Sequence, residues 1–268
     1  MPNPILMMGC VMTDDLFPEG TVLIVGGSGG IGQFVCREFA KAGANVALTY
    51  KSNKAAAGKV VSDIRELGQK SESYSLNVGD KKQILSVIEE VEKDFRRIHT
   101  IVYGAAPLAE QVYIAETTTA QWNKAIDLET NGFFEVVKAT VPHLRANGGG
   151  SFVHLGSAGH LRWPDKDGLS VVPKAANEAV IQGIAREEGK NNIRANTVLI
   201  GVIEAGMFLE LTKQGAFPQT WVDETQKLLA LKRWGKPEEI GHAAVFLASN
   251  KAAYITGQRI AVAGGFGV

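Results

Sequence analysis

One stretch limits the fold more than any other: TVLIVGGSGGIGQFVCREFAKAG, residues 21–43. A short β-branched run (21–26) leads into closely spaced glycines. A segment with apolar residues at helical spacing follows, ending at Gly43. Strand, glycine turn and helix in direct succession read as the opening of a β–α–β unit. Gly26, Gly30 and Gly32 are spaced G-x-x-x-G-x-G, with Gly27 and Gly29 between them. Without side chains in the way, an anion can approach the backbone N–H groups closely, and the helix start favours negative charge. Gly26, Ser28, Gly29, Gly30, Ile31 and Gly32 are therefore candidate phosphate-binding positions, and the strand–turn–helix context reads as a dinucleotide site.

The rest of the chain repeats the alternation. NVALTY (45–50), SESYSL (71–76), TIVYGAA (100–106), SFVHLGS (151–157), IRANTVLI (193–200) and QRIAVAGG (258–265) read as strands. Helices are expected between the second strand and about Leu67, over KKQILSVIEEVEKDF, over roughly 120–146, from Lys174 to Gly189, and over KPEEIGHAAVFLAS. Right-handed crossovers between parallel strands then give a single-domain, doubly wound α/β sheet of Rossmann type, with about seven strands and helices on both faces. The segment 202–235 breaks the alternation after the sixth strand and is expected to form a substrate lid. Residues 1–19 read as an extension ahead of the domain, which occupies 20–268.

Of the 268 residues 45% are hydrophobic, and the formal net charge is zero. That balance gives no electrostatic reason to expect a nucleic-acid or membrane partner. Two cysteines, Cys10 and Cys36, do not make a disulfide framework, so a cytoplasmic location is expected. No metal site is expected.

The end of the second strand bears on which dinucleotide binds. An acid there would hold the ribose 2′-hydroxyl of NAD. Tyr50, Lys51, Ser52 and Asn53 stand there instead, with no acid between 45 and 55. A cation and small polar donors suit a 2′-phosphate, so NADP(H) is the expected cofactor.

At this point the chain resembles the short-chain dehydrogenase/reductase family over nearly all of residues 20–265. The glycine turn, Asn77-Val78 beside the adenine, Tyr103-Gly104-Ala105-Ala106 after the fourth strand and LGSAG at the end of the fifth carry the resemblance. Lys174, NIRANTVLIGVIEAGM, KRWGKPEEIGHAAVFLAS and YITGQRIAVAGG complete it. It implies cofactor contacts at Asn77, Val78, Ala105, Ala106, Lys174, Gly201 and Ile203. It also implies a homodimer or homotetramer associating through about 237–265. In the family site, Tyr-x-x-x-Lys sets phenol and ammonium one helical turn apart, a Ser shares the substrate oxygen, and an Asn helps hold the lysine.

Here Ser157 and Lys174 are kept, Ser170 stands at the tyrosine position and Glu129 at the asparagine position. A serine hydroxyl is a far poorer acid than a phenol. Ser170 therefore reads as a helix-start residue, with Pro173 in the first turn. Glu129 is expected to pair with Lys174, because a carboxylate deep in a cofactor cleft is costly alone. His160 and Tyr103 are further catalytic candidates. The alternatives are a solvent-facing loop histidine and a stacking core tyrosine.

Asp127-Leu128-Glu129-Thr130 is similar to the acidic pattern of the dienoyl-CoA reductases within the family. That similarity implies NADPH-dependent reduction of an activated C=C bond in an enoyl or dienoyl thioester or an enone. The alternatives are a carbonyl reductase or alcohol dehydrogenase with a substitute acid, and a binding-only homologue. Met207, Phe208, Phe217 and Trp221 make the expected lid apolar, which points to a small hydrophobic substrate.

Overall fold

Backbone amides buried by apolar side chains on both faces must pair with one another, and seven strand segments do so in this chain. The computed structural model describes residues 15–268. The strands are β1 (Thr21–Val25), β2 (Asn45–Tyr50), β3 (Ser71–Ser75), β4 (Ile98–Tyr103), β5 (Gly150–Ser157), β6 (Ile193–Ile200) and β7 (Arg259–Val262). They form one parallel sheet in the order β3-β2-β1-β4-β5-β6-β7. The order reverses between β1 and β4, and the crevice beyond their carboxyl ends is where such sheets bind ligands.

Side chains alternate across the sheet with the strand period of two. Val22, Ile24, Val46 and Leu48 pack on one face, where they meet α1 (Gly32–Lys41), α2 (Lys54–Glu66) and α9 (Pro237–Ala248). Leu23, Val25, Ile101 and Phe152 pack on the other, against α3 (Lys81–Phe95), α5 (Gly132–Ala146) and α6 (Gly168–Glu188).

Three expectations are corrected. Residues 1–14 lie outside the described residues, but the extension expected to run to 19 is already part of the packed domain by Phe17. That ring is buried, 5.5 Å from Phe39 and 5.5 Å from His99. The helix expected from Lys174 starts at Gly168, which puts Pro173 inside α6 rather than in its first turn. Leu169, Ser170 and Val171 are buried there, and their packing offsets the backbone hydrogen bond that the proline cannot donate. The helix expected over 120–146 is interrupted: α4 (Thr119–Ala125) passes through a π-helical turn, Ile126–Asn131, into α5.

Between β6 and α9 lie α7 (Gly206–Lys213) and α8 (Gln219–Leu228), and Ile203 pairs with Gly235 across the base of this insertion. No helix among the described residues is long and apolar enough to cross a membrane.

Phe17→Ala should lower stability by about 3 kcal/mol, the usual cost of emptying a buried aromatic site. Urea unfolding of the full chain checks this, and an unchanged midpoint would return residues 15–19 to an unpacked tail.

Candidate active site

The glycine turn comes first, because it closes one end of the cleft. Gly26 has φ +85°, and a side chain there would stand 2.9 Å from the Ala105 nitrogen. A side chain at Gly32 would lie 2.2 Å from the Gly26 carbonyl. The N–H groups of Gly30 and Ile31 donate to no protein group among the described residues. Unused donors at a helix start, in a cradle with no room for Cβ atoms, fit a dinucleotide phosphate.

A cleft of about 760 Å³ runs from this turn along the carboxyl ends of β4, β5 and β6. Of the expected positions, Gly26, Gly29, Gly30, Ile31, Gly32, Ala105, Ala106, Gly201 and Ile203 line it, as do Ser157, Ser170, Lys174 and Glu129. Ser28, Tyr50, Lys51, Ser52, Asn53, Asn77 and Val78 lie at or just beyond the ends of β1, β2 and β3, outside the cleft wall. Lys51 and Ser52 are exposed, and Lys51 has no ion-pair partner among the described residues. The Asn53 side chain is already engaged, because its oxygen caps α2 by accepting from the Ala56 N–H at 2.9 Å.

The π-helical turn delivers the charged pair. An i→i+5 turn carries one more residue than an α-turn, and such turns are common at functional sites. Glu129 sits in it, buried, with a carboxylate oxygen 2.8 Å from Lys174 Nζ. Asn177, one turn beyond Lys174, donates to the Glu129 carbonyl at 3.3 Å. Burial raises the Glu129 pKa, and the adjacent Lys174 ammonium opposes that rise. The ammonium also approaches the Ser170 hydroxyl and carbonyl, each at 3.4 Å.

Ser157 ends β5. Its Oγ accepts from the Gly159 N–H at 3.1 Å, which leaves the hydroxyl hydrogen free to donate into the cleft. His154, three residues earlier on β5, is wholly buried with neither ring nitrogen paired among the described residues. Burial, aided by Lys174, pushes its pKa down to about 3.

Three catalytic candidates do not present an acid to the cleft. The Tyr103 ring is buried 4.9 Å from Phe133, and its hydroxyl donates to the carbonyls of Leu128 and Glu129 at 3.3 and 3.4 Å. Burial and then Glu129 raise its pKa, so it braces the π-helical turn. His160 is outside the cleft wall, its Nδ1 2.7 Å from Glu178. Ser170 is buried beneath the lysine.

Asp167 escaped the sequence reading. It precedes α6 and lines the cleft, and its Oδ1 accepts from the Gln111 side-chain N–H at 3.0 Å. The clue was available: with α6 starting at Gly168, it is the acid one turn before Ser170. The α7–α8 insertion roofs the cleft with Phe208, Phe217 and Trp221, and the Phe217 and Trp221 rings stack at 4.1 Å.

The family described as enoyl-(acyl carrier protein) reductase matches residues 26–267 of this chain. The 3-oxoacyl-[acyl-carrier-protein] reductase FabG of Thermotoga maritima is 31% identical over 248 residues, 92% of this chain and 98% of its own. The L-sorbose reductase of Gluconobacter frateurii, solved with NADPH and L-sorbose, has a TM-score of 0.84 at 26% identity, covering 94% of this chain and 98% of that one. A NAD+-bound xylitol dehydrogenase has a TM-score of 0.87 at 23% identity over 92% and 99% of the two chains, a likeness of fold alone. The chain belongs to the short-chain dehydrogenase/reductase family of oxidoreductases, which use a nicotinamide cofactor.

Glu129→Ala should cost about 3–5 kcal/mol, because it strands a buried ammonium, whereas Glu129→Gln with Lys174→Met should recover most of that loss. Denaturant titration of the three proteins measures it. Equal stability of Glu129→Ala and the wild type would mean that the pair is solvated.

His154 must be neutral to stay folded. Its lowered pKa therefore contributes stability that is whole above about pH 6.5, the unfolded value, and declines by up to about 1.4 kcal/mol per unit as pH falls toward 3. His154→Gln should flatten part of that slope in unfolding measured from pH 7 to 4.

Proposed function

We propose that this chain is an NADPH-dependent reductase of an activated C=C bond in a small hydrophobic enone or enoyl thioester. The observation that carries the reading is the pairing of a free Ser157 donor with a buried Glu129–Lys174 couple, in a site whose phenol position holds Ser170. Reduction of a ketone needs a proton at oxygen as hydride arrives. Reduction of a conjugated C=C needs that oxygen stabilised as an enolate while hydride adds at the far carbon, and a proton can reach the near carbon afterwards. Ser157 serves the oxygen, so loss of the phenol harms this reaction less.

The acidic Glu129 segment, similar to that of dienoyl-CoA reductases, supports the same reading. The glycine turn would hold the pyrophosphate, Lys51 and Ser52 the 2′-phosphate, and Lys174 the nicotinamide ribose. When bound, the dinucleotide supplies the hydride. The insertion at 202–235 acts as a lid whose aromatic side chains keep water from the reacting carbons. We read the working form as a cytoplasmic homodimer or homotetramer associating through 237–265, where Phe246 and Tyr254 are exposed.

Carbonyl reduction is the second reading, favoured by the 31% identity to FabG, whose name describes a 3-oxoacyl substrate. Product analysis separates the two. A cyclic enone turned over with NADPH should give the saturated ketone, and an allylic alcohol as sole product would favour carbonyl reduction.

Lys51→Asp should raise the KM for NADPH by about tenfold or more while leaving NADH nearly unaffected, because it sets a like charge against the 2′-phosphate. Steady-state kinetics with both cofactors decide it. A wild-type preference for NADH would remove the NADPH assignment.

A further inference from the structure

With His160 outside the cleft wall, the Tyr103 hydroxyl bound to the carbonyls of Leu128 and Glu129, Ser170 too weak an acid and Glu129 held by Lys174, the reduction needs another proton source. Three carboxyl groups besides Glu129 line the cleft: Asp165, Asp167 and Glu210. Asp165 and Glu210 are exposed, and only Asp167 is half-buried. It stands one helical turn before Ser170 and two before Lys174, so the three share one face at the start of α6.

Asp167 occupies the cap position of α6 but makes no side-chain capping bond. Its Oδ1 is taken by Gln111, and Oδ2 has no protein partner among the described residues. The neighbouring backbone is pinned. Lys166 has φ 65°, the Val112 N–H donates to the Lys166 carbonyl at 3.0 Å, and Val112 pairs with Asp167. Two loops are thereby stitched together at the point where this carboxyl enters the cleft. Burial raises its pKa against the opposing Gln111 and Lys174. The other charged groups on this wall are Glu129 of the π-helical turn and Arg162 and Asp165 of the loop before α6.

We propose that Asp167 is the proton donor of this site, standing in for the acid lost at Ser170. This rests on the reductase reading above. Hydride from the reduced nicotinamide forms a C–H bond at the β-carbon, and the π electrons move onto the oxygen held by Ser157. Collapse of that enolate takes the proton from Asp167 Oδ2 to the α-carbon. The O–H bond breaks, a C–H bond forms, and the substrate has gained one hydride and one proton. The carboxylate left behind is stabilised by the Gln111 amide and the Lys174 ammonium and regains a proton from water at the cleft mouth.

The test uses the full chain, 2-cyclohexenone and NADPH, with Asp167→Asn, Asp167→Glu and Glu129→Gln. Asp167→Asn should lower kcat by at least about 100-fold, the low end for loss of a positioned acid, with NADPH affinity within about twofold. Asp167→Glu should restore a measurable part. Because the acid form is the active one, wild-type kcat should fall as pH rises through the raised pKa, and the residual Asp167→Asn rate should lack that limb. Infrared difference spectra of the unliganded protein should contain a protonated-carboxyl band at a pH where an exposed aspartate has lost its proton. Asp167→Asn should remove it and Glu129→Gln should keep it. Loss of kcat smaller than about threefold in Asp167→Asn, or a band that survives that substitution, overturns the proposal. Failure of the wild type to reduce any enone while the band is present and assigned to Asp167 counts against the enone reading instead.

Discussion

Two opposite charges 2.8 Å apart, each almost out of contact with water, set the terms for the rest of this site. Removing a carboxylate and an ammonium from water costs several kcal/mol each, and only close pairing with further polar support recovers it. The support here is specific. Tyr103 donates to the carbonyls of Leu128 and Glu129, and Asn177 donates to the Glu129 carbonyl. The helix carrying the lysine and the helix carrying the glutamate are thus tied through backbone as well as charge. Lys174 cannot be moved independently of Glu129, and the ribose end of the cleft inherits that rigidity.

Around the pair the cleft divides by chemistry. At one end lie bare N–H groups of the glycine turn, in the middle the Ser157 hydroxyl and the charged couple, and overhead the aromatic insertion. An apolar roof strengthens every electrostatic contact beneath it by keeping water out. The same low dielectric explains why His154 stays neutral behind the pair and why burial raises the Asp167 pKa.

Much of this was legible in the order of residues, for physical reasons. Fully buried parallel strands need continuous apolar runs, so β2 and β6 were bounded to the residue, as was α3 by its apolar spacing. The glycine turn was legible because phosphate cradles exclude side chains. The Glu129–Lys174 pair followed from the cost of a lone buried charge. What stayed hidden depends on tertiary packing. Pro173 marked a helix start by local rules, but buried Leu169 and Val171 extend α6 past it toward the amino terminus. Asp167 was lost with that boundary. Tyr103 and His160 were named as acids by residue type, and their directions are set by partners remote in sequence, the π-helical turn and Glu178. The π-helical turn itself has no residue signature.

That turn has a consequence for how such a site changes. Its extra residue is what separates it from an ordinary helix, so the position of Glu129 depends on chain length as well as on residue type. Loss of one residue between 126 and 131 would rotate one side of the helix against the other by about 100°. Glu129 would swing off Lys174 with every site residue still present. A relative of this chain could match each named side chain and yet differ by one residue in that turn, and its cleft would hold a different charge.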